Sequence, residues 1–219
     1  MEILYEDKNI LICKKPVGIV SQHTDAGDGL ADEVQKYCGY AGIVHRLDTA
    51  VGGAIVFGKN KNAASKLSTL VTENKLGKKY IAVVHGCPAE KSGIFKDLLF
   101  KDSGRNKSFV VKRMRKGVKE ASLEYKVIAS AEYENQIYSL VEIKLHTGRT
   151  HQIRVQFSSR KTPICGDIKY GSKVRRSEIA LFSHSISFCH PVTEEILTFT
   201  EYPTKIDYPW NLFGSDLGE

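Results

Sequence analysis

Two stretches in the second half of the chain alternate apolar and polar residues, and this alternation constrains the fold more than any other feature. The stretches run from Ser122 to Ile128 and from Ile137 to Leu145. A period of two is that of a strand with one buried and one wet face, which is common in antiparallel sheets. Parallel strands covered by helices on both faces are instead apolar throughout. The pattern therefore favours a mixed, largely antiparallel sheet over a doubly wound parallel one.

Helical spacing occurs between the strand-like runs. The apolar residues of Leu30–Tyr37 and Asn62–Asn74 recur at i, i+4 and i+7, and Thr150–Ser158 is predicted as a short helix. Further strands are predicted at 3–13 (two strands around an Asp-Lys-Asn turn), 43–47, 54–57, 80–84, 181–188 and 196–200. Without a repeat, low-complexity tract or linker, the sequence predicts one α/β domain of the α+β type over 1–219, with a curved sheet flanked by helices.

Composition excludes several classes of protein. Of 219 residues, 42% are hydrophobic and 26% charged, which is typical of a globular chain, so disorder is not expected. The apolar runs, such as Ala54–Phe57, are far too short to span a membrane. The N-terminus lacks a basic flank followed by an apolar core, so it does not resemble a signal peptide. These features predict a cytoplasmic protein.

The cysteines argue against a disulfide framework and a structural zinc site. Their number is odd, five, and no Cys-x-x-Cys pair occurs. Four of them have apolar or β-forming neighbours and are predicted to be buried reduced thiols: Cys13, Cys38, Cys165 and Cys189.

The charge balance suits a polyanionic partner. Lysine and arginine number 32 against 25 acids, a net charge of +7, although many basic proteins bind no nucleic acid. The run from Arg105 to Lys119 contains seven basic residues and no acid, and Gly104 and Gly117 bracket most of it. It is predicted as a protruding hairpin that contacts phosphates through Lys112, Arg113, Arg115 and Lys116, the alternative being an ordinary solvated face.

Two apparent nucleotide motifs are rejected. Gly53–Lys59 matches most of a phosphate-binding loop, but Asn60 replaces the hydroxyl residue and the four intervening side chains are apolar. His45-Arg46-Leu47-Asp48 is similar to a protein kinase catalytic loop, yet no glycine-rich loop precedes it and no Asp-Phe-Gly follows.

Two segments concentrate polar residues. Gly42–Gly53 places His45, Arg46 and Asp48 where a strand enters a glycine-containing turn. In Thr147–Arg154, a helix would put His151 and Arg154 on one face at i, i+3. Either segment alone also fits a capped turn with a surface ion pair.

Together these segments resemble the RluA-like family of RNA pseudouridine synthases over most of the chain. The His-Arg-Leu-Asp block resembles the one that carries the family's nucleophilic aspartate, which maps to Asp48. Lys78–Gly86 resembles the strand with the active-site tyrosine, at Tyr80, and Thr147–Arg154 the motif whose arginine pairs with the aspartate, at Arg154. Further similar blocks are Asp7–Gly18, Pro163–Gly171, His184 and Phe188–Pro191.

Two positions depart from the family pattern. Val51-Gly52-Gly53 stands where Thr-Ser-Gly is usual, and Arg154 is followed by Val155-Gln156, where histidine is common in the second place. These departures bear on substrate choice or turn geometry. No N-terminal S4 module is expected.

The resemblance implies isomerisation of uridine to pseudouridine in rRNA or tRNA, with no cofactor and no metal. Asp48 would act as an ionised carboxylate supported by the guanidinium of Arg154, and Tyr80 would stack on a flipped-out uracil. Arg46, Arg149, His151 and Gln152 would contact RNA, while Ile153 is expected in the core. Neither a membrane nor an obligatory protein partner is expected.

Other functions remain open at this stage. The first is a catalytically silent RNA-binding module of the same fold, and the second is an unrelated hydrolase using aspartate and histidine. The resemblance also leaves three roles open for Asp48: attack on C1′, attack on the uracil ring, or assistance of elimination to a glycal.

Overall fold

The computed structural model describes residues 1–25, 27–174 and 178–218. The chain divides into two compact units. Unit 1 comprises Met1–Lys79 and Phe182–Pro203, and unit 2 comprises Tyr80–Leu181 and Thr204–Glu219. The single domain over 1–219 therefore stays a prediction, and each unit is described by itself.

Eleven strands and three α-helices occur among the described residues. In chain order they are β1 (Glu2–Glu6), β2 (Ile10–Lys15), α1 (Leu30–Cys38), β3 (Gly42–Ile43), β4 (Gly52–Gly58), α2 (Lys61–Thr72), β5 (Gly77–His85), β6 (Ser92–Asp102), β7 (Lys107–Val111), β8 (Val118–Tyr133), β9 (Gln136–Leu145), α3 (Gln152–Ser159), β10 (Leu181–Cys189) and β11 (Ile196–Thr200). Short 3-10 helices lie at Ile168–Tyr170 and Trp210–Phe213.

Unit 1 is built on the strand order β1-β2-β4-β10, with β3 on β4 and β11 on β10. Strands β2 and β4 pair antiparallel, whereas β4 and β10 pair parallel. Apolar side chains of β2, β4, α2 and β10 form its core, including Ile12, Val56, Leu67 and Phe188. Helix α2 begins after Asn60, whose side-chain oxygen accepts the Ala63 N–H at 2.9 Å.

The glycines that imitate a phosphate-binding loop allow close packing of β4. Gly53 has φ +114°, and a Cβ there would lie 2.3 Å from the Ser183 carbonyl oxygen on β10. A Cβ at Gly58 would lie 2.6 Å from the Ala64 backbone nitrogen on α2. All seven residues of β4 are buried, which confirms a core strand in place of a nucleotide loop.

Unit 2 is built on the strand order β5-β9-β8-β6-β7, in which β7 is the edge. The pairs β8–β9, β6–β8 and β6–β7 are antiparallel. Helix α3 packs against them through Phe157, whose ring centre lies 5.1 Å from Phe95 and 5.9 Å from Tyr125. The predicted alternation ends at a β-bulge between Val127 and Ala129, where the pairing register shifts.

The predicted α+β class with mixed, largely antiparallel strands is confirmed, but the strand predicted at 43–47 is wrong. Only Gly42 and Ile43 pair with β4, and residues 44–48 are irregular. Side chains replace the backbone ladder there, since the His45 Nε2 accepts the Val56 N–H at 3.3 Å. Among the described residues no helix is long and apolar enough to cross a membrane.

The predicted burial of four cysteines holds for two of them. Cys13 and Cys165 are buried, while Cys38 and Cys189 are only partly covered.

Candidate active site

Asp48 lies in unit 1, half-buried, on the irregular segment that leads from β3 into β4. The residue before it is held in place by Ser21. The Ser21 hydroxyl donates to the Leu47 carbonyl at 2.9 Å and accepts the Leu47 N–H at 3.0 Å. The Asp48 carbonyl itself accepts the Val51 N–H at 2.9 Å, which closes a tight turn. The backbone on both sides of the Asp48 side chain is therefore fixed.

The residue after Asp48 is held by the Lys-Pro-Val-Gly segment that follows β2. The Thr49 carbonyl accepts the Gly18 N–H at 2.8 Å and the Lys15 ammonium at 3.3 Å. The same ammonium donates to the carbonyls of Pro16 at 2.8 Å and Ile19 at 2.6 Å. Three acceptors match the three donors of a lysine ammonium, so this geometry is that of the charged form.

Burial determines the titration of Lys15. Its side chain is only 1% exposed, and burial lowers the pKa of Lys15 to about 8, while the Asp48 carboxylate acts in the opposite direction. Lys15 is therefore charged at neutral pH and brings a positive charge into the electrostatic environment of Asp48. The sequence analysis assigned Lys15 no role, because it lies in the Asp7–Gly18 block, which was noted only for its similarity to the family.

The glycine at position 52, where serine is usual in the family, packs closely against the segment that follows β2. A Cβ at Gly52 would lie 3.1 Å from the Val17 Cγ2 atom and 3.3 Å from the Lys15 carbonyl oxygen. A serine at this position would require a small displacement of Val17. Glycine thus lets the Lys15–Gly18 segment approach the turn that follows Asp48.

His45 is a neutral structural histidine. Its Nε2 accepts a backbone N–H of β4, and its Nδ1 is buried with no hydrogen-bond partner in the described part of the chain. Complete burial lowers the pKa of His45 to about 3, with the Lys78 ammonium as a smaller cause. It is therefore uncharged across the physiological range.

Arg46 is exposed and makes one long hydrogen bond, from Nη1 to the Gln22 side-chain oxygen at 3.4 Å. Because residues 44–48 are not a strand, Arg46 does not share a strand face with Asp48. Its contact with RNA stays a prediction.

Tyr80 and Arg154 belong to unit 2, whereas Asp48 belongs to unit 1. The pairing of Asp48 with Arg154 therefore stays a prediction. Tyr80 lies on β5 and is 6% exposed, and Arg154 lies on the first turn of α3 and is 7% exposed. Both side chains are thus presented from regular, well-packed elements.

The structure gives Arg154 a partner that the sequence analysis did not assign, Asp167. The Arg154 Nε donates to the Asp167 Oδ2 at 2.7 Å, and Nη2 donates to Oδ1 at 2.8 Å. Asp167 is 1% exposed, so this is a buried bidentate ion pair. The signal in the sequence was the Pro163–Gly171 block, which contains Asp167.

Tyr170 joins several parts of unit 2. Its hydroxyl accepts the Ser108 N–H of β7 at 2.8 Å and lies 2.9 Å from the His151 Nδ1. The centre of its ring lies 5.1 Å from the guanidinium carbon of Arg154 and 5.0 Å from the Lys107 ammonium. His151 is not in the helix but caps it with φ 54°, so the predicted i, i+3 face is wrong. His151 and Arg154 nevertheless both contact Tyr170.

Gln152 and Arg149 differ in their availability to RNA. Gln152 is 3% exposed, and its side-chain oxygen accepts the Arg149 N–H at 3.0 Å and the Thr147 hydroxyl at 2.7 Å. These bonds hold the turn before α3, which favours a structural role for Gln152. Arg149 is exposed, with its Nε anchored on the Glu120 carbonyl at 2.9 Å. Ile153 is 4% exposed, which confirms its place in the core.

The basic run spans the β6–β7 turn, the edge strand β7 and the connection to β8. Four of its residues form what we call the basic loop, and all four are exposed: Lys112, Arg113, Arg115 and Lys116. The Arg115 guanidinium lies 5.1 Å from the centre of the Phe100 ring. The loop thus presents four cations beside a sheet edge.

Comparison with known proteins gives one consistent result. The RNA pseudouridylate synthase family matches residues 9–159. The Bacillus subtilis (strain 168) protein YhcT, described as an uncharacterized RNA pseudouridine synthase, is 35% identical over 218 residues, covering 94% of this chain and 70% of that protein. The ribosomal large subunit pseudouridine synthase C of Buchnera aphidicola subsp. Baizongia pistaciae (strain Bp) is 34% identical, covering 94% of this chain and 67% of that protein.

A solved structure, human RNA pseudouridylate synthase domain containing 1, has a TM-score of 0.78 at 21% identity, covering 99% of this chain and 87% of that chain. It confirms the fold. The match to the family extends from β2 to the end of α3 and so includes Asp48, Tyr80 and Arg154. The chain therefore belongs to the RluA-like RNA pseudouridylate synthase family, a family of RNA-modifying isomerases.

Proposed function

We propose that this protein isomerises specific uridines of rRNA or tRNA to pseudouridine, with Asp48 as the nucleophile. In this reaction the bond from C1′ to N1 of uracil breaks and a bond from C1′ to C5 forms. C5 then loses its proton, and N1 gains one. The reaction needs an ionised carboxylate near C1′ or the uracil ring. Attack on C1′, attack on the ring and assistance of glycal formation all begin from that carboxylate.

The hydrogen bonds that hold the backbone on both sides of Asp48 are the main observation in support of this proposal. The backbone from Leu47 to Thr49 is held by hydrogen bonds from Ser21, Val51 and Gly18 and from the ammonium of Lys15. A carboxylate on a fixed backbone reacts without first being ordered, which is how positioning lowers a barrier. The Lys15 ammonium adds a positive charge to the electrostatic environment of this carboxylate.

Residues of unit 2 complete the proposed chemistry. Tyr80 provides a flat face for the extruded uracil and a hydroxyl for proton transfer from C5. The Arg154 guanidinium orients the Asp48 carboxylate, and His151 and Arg149 contact the RNA. The basic loop binds flanking phosphates, and its exposure supports this role. The relative named for the ribosomal large subunit makes rRNA the first substrate to test.

Release of tritium from RNA containing 5-tritiated uridine tests the proposal directly. The purified protein alone should release tritium, and Asp48→Asn should bind the same RNA without releasing it. Asp28→Asn is a matched control, because Asp28 is an exposed aspartate of unit 1 that pairs with Lys36 at 2.7 Å. Substantial turnover by Asp48→Asn would contradict the role of Asp48. Binding without release by the wild-type protein would instead identify a silent RNA-binding module. The cytoplasmic location stays a prediction.

A further inference from the structure

The segment Gly166–Gly171 contacts Arg154 in two different ways. The Asp167 carboxylate takes the edge of the guanidinium formed by Nε and Nη2, at 2.7 and 2.8 Å. The Tyr170 ring, three residues later, lies 5.1 Å from the guanidinium carbon. One short stretch of chain therefore constrains both the direction and the surroundings of a buried cation.

The position of Asp167 is itself determined by its backbone. Its N–H donates to the Ile164 carbonyl, and its own carbonyl accepts the N–H groups of Tyr170 and Ser172, all at 3.0 Å. The preceding Gly166 has φ +83°, and a Cβ there would lie 2.3 Å from the Glu178 carbonyl oxygen. The carboxylate is thus a fixed reference, and the arginine is the longer, more flexible partner that conforms to it.

A guanidinium has two edges that can bind a carboxylate with two parallel hydrogen bonds. In Arg154 the side edge is bonded to Asp167. In the proposed reaction we assign the end edge, which includes Nη1, to the Asp48 carboxylate. Fixing the first edge fixes the plane and direction of the second, because the group is rigid and planar.

We propose that Asp167 is a positioning residue that acts through Arg154, holding its guanidinium in the orientation required at the reacting carboxylate. This inference rests on the proposed function. It predicts that the Gly166–Gly171 segment affects the rate of isomerisation but not the affinity for RNA.

The main test is Asp167→Asn, measured as kcat, KM and RNA affinity at a temperature where the variant is folded. Loss of the carboxylate charge allows the guanidinium to reorient, and we expect kcat to fall about 100-fold, the loss typical of a misplaced reacting group. We expect KM and the RNA Kd to change less than about threefold. Asp167→Glu keeps the charge but displaces it by one methylene group, so it should also lower kcat. A normal kcat in either variant would overturn the proposal.

Asp97→Asn is the matched control. Asp97 also accepts hydrogen bonds from side chains of the α3 region, from the Gln156 Nε2 at 2.6 Å and from the Arg160 Nη1 at 2.9 Å, and its side chain is 12% exposed. We expect this variant to lose stability but keep its kcat. If kcat falls in both variants in proportion to stability, Asp167 is merely structural and the proposal fails.

Combining Asp167→Asn with Arg154→Ala separates this inference from the proposed function. Arg154→Ala alone should lose most activity, and adding Asp167→Asn should lower kcat no further, because both changes remove the same interaction. Additive effects would overturn action through Arg154. An active Arg154→Ala variant would instead contradict the proposed role of Arg154, whatever Asp167→Asn does.

Discussion

The Ser21 hydroxyl bonds both backbone polar groups of Leu47, the N–H at 3.0 Å and the carbonyl at 2.9 Å. Leu47 belongs to no strand, so the Ser21 hydroxyl supplies the two hydrogen bonds that a paired neighbouring strand would otherwise provide. Since Asp48 is the next residue, the loss of one hydroxyl should affect both the folding and the placement of the proposed nucleophile.

Ser21→Ala should lower the free energy of unfolding by about 2 kcal/mol, because it removes a hydroxyl that satisfies two buried backbone groups. It should also lower kcat by about tenfold through a less ordered Asp48. Ser183→Ala is the control, since the Ser183 hydroxyl is buried in unit 1 and donates to the Ala54 carbonyl at 2.9 Å. A kcat that falls equally in both variants would contradict the special role of Ser21.

From the lowered pKa of Lys15 we predict that high pH has opposite effects on stability and on activity. Its pKa in the folded protein is about 8, below the ordinary value of 10.5, so the unfolded chain binds the extra proton between these values. Stability should therefore rise by up to about 3 kcal/mol from pH 8 to 10.5. Activity should fall over the same range, because deprotonation of Lys15 removes a positive charge near Asp48 and one of the three hydrogen-bond donors that hold the adjacent backbone. Lys15→Met should flatten both dependences in denaturation and rate profiles, and unchanged profiles would contradict the assignment.

His45 predicts a loss of stability in acid. Its pKa is about 3 when folded and 6.5 ordinarily, so between these values the unfolded chain binds the proton and the folded protein does not. The free energy of unfolding should therefore fall as the pH falls from 6.5 towards 3, by up to about 1.4 kcal/mol per pH unit. His45→Gln keeps an acceptor for the Val56 N–H but cannot titrate, so urea denaturation should show a shallower dependence. His23→Gln, at an exposed histidine, is the control substitution.

We predict that the four cations of the basic loop contribute a salt-dependent part of the affinity for RNA. Replacing Lys112, Arg113, Arg115 and Lys116 by glutamine should weaken binding and reduce the slope of log Kobs against log salt by up to about 3. The control replaces four exposed lysines of unit 1 by glutamine: Lys8, Lys36, Lys61 and Lys75. The same net charge change there should leave most of the slope intact. An unchanged slope in the loop variant would show that these cations are merely solvated.

Local patterns were sufficient for most of the fold. The alternation along Ser122–Ile128 and Ile137–Leu145 correctly predicted β8 and β9, because burial on one face follows directly from a period of two. Helical spacing correctly predicted α2, whose start is fixed by the Asn60 cap. The strand at 43–47 was wrong because the hydrogen bonds of that segment go to side chains, Ser21 and His45 among them, and no local pattern encodes this.

The supporting residues of the candidate site could not be predicted in the same way. Lys15 lies 34 residues before the Thr49 carbonyl that it binds, and Asp167 lies 13 residues beyond Arg154. Both were visible within motifs, yet their partners are set by tertiary folding. Motifs thus named the residues proposed to react, whereas the fold was needed to find those that hold them.

The Tyr170 hydroxyl connects three pieces of the chain. It contacts the edge strand β7 at Ser108 and the cap of α3 at His151, and Tyr170 itself lies in a 3-10 helix. The Ser108 hydroxyl also donates to the Thr150 carbonyl at 2.6 Å, so two hydrogen-bonded links join β7 to the beginning of α3. If the proposed contact of RNA with the basic loop displaces β7, these links would carry the displacement to the turn of helix that holds Arg154.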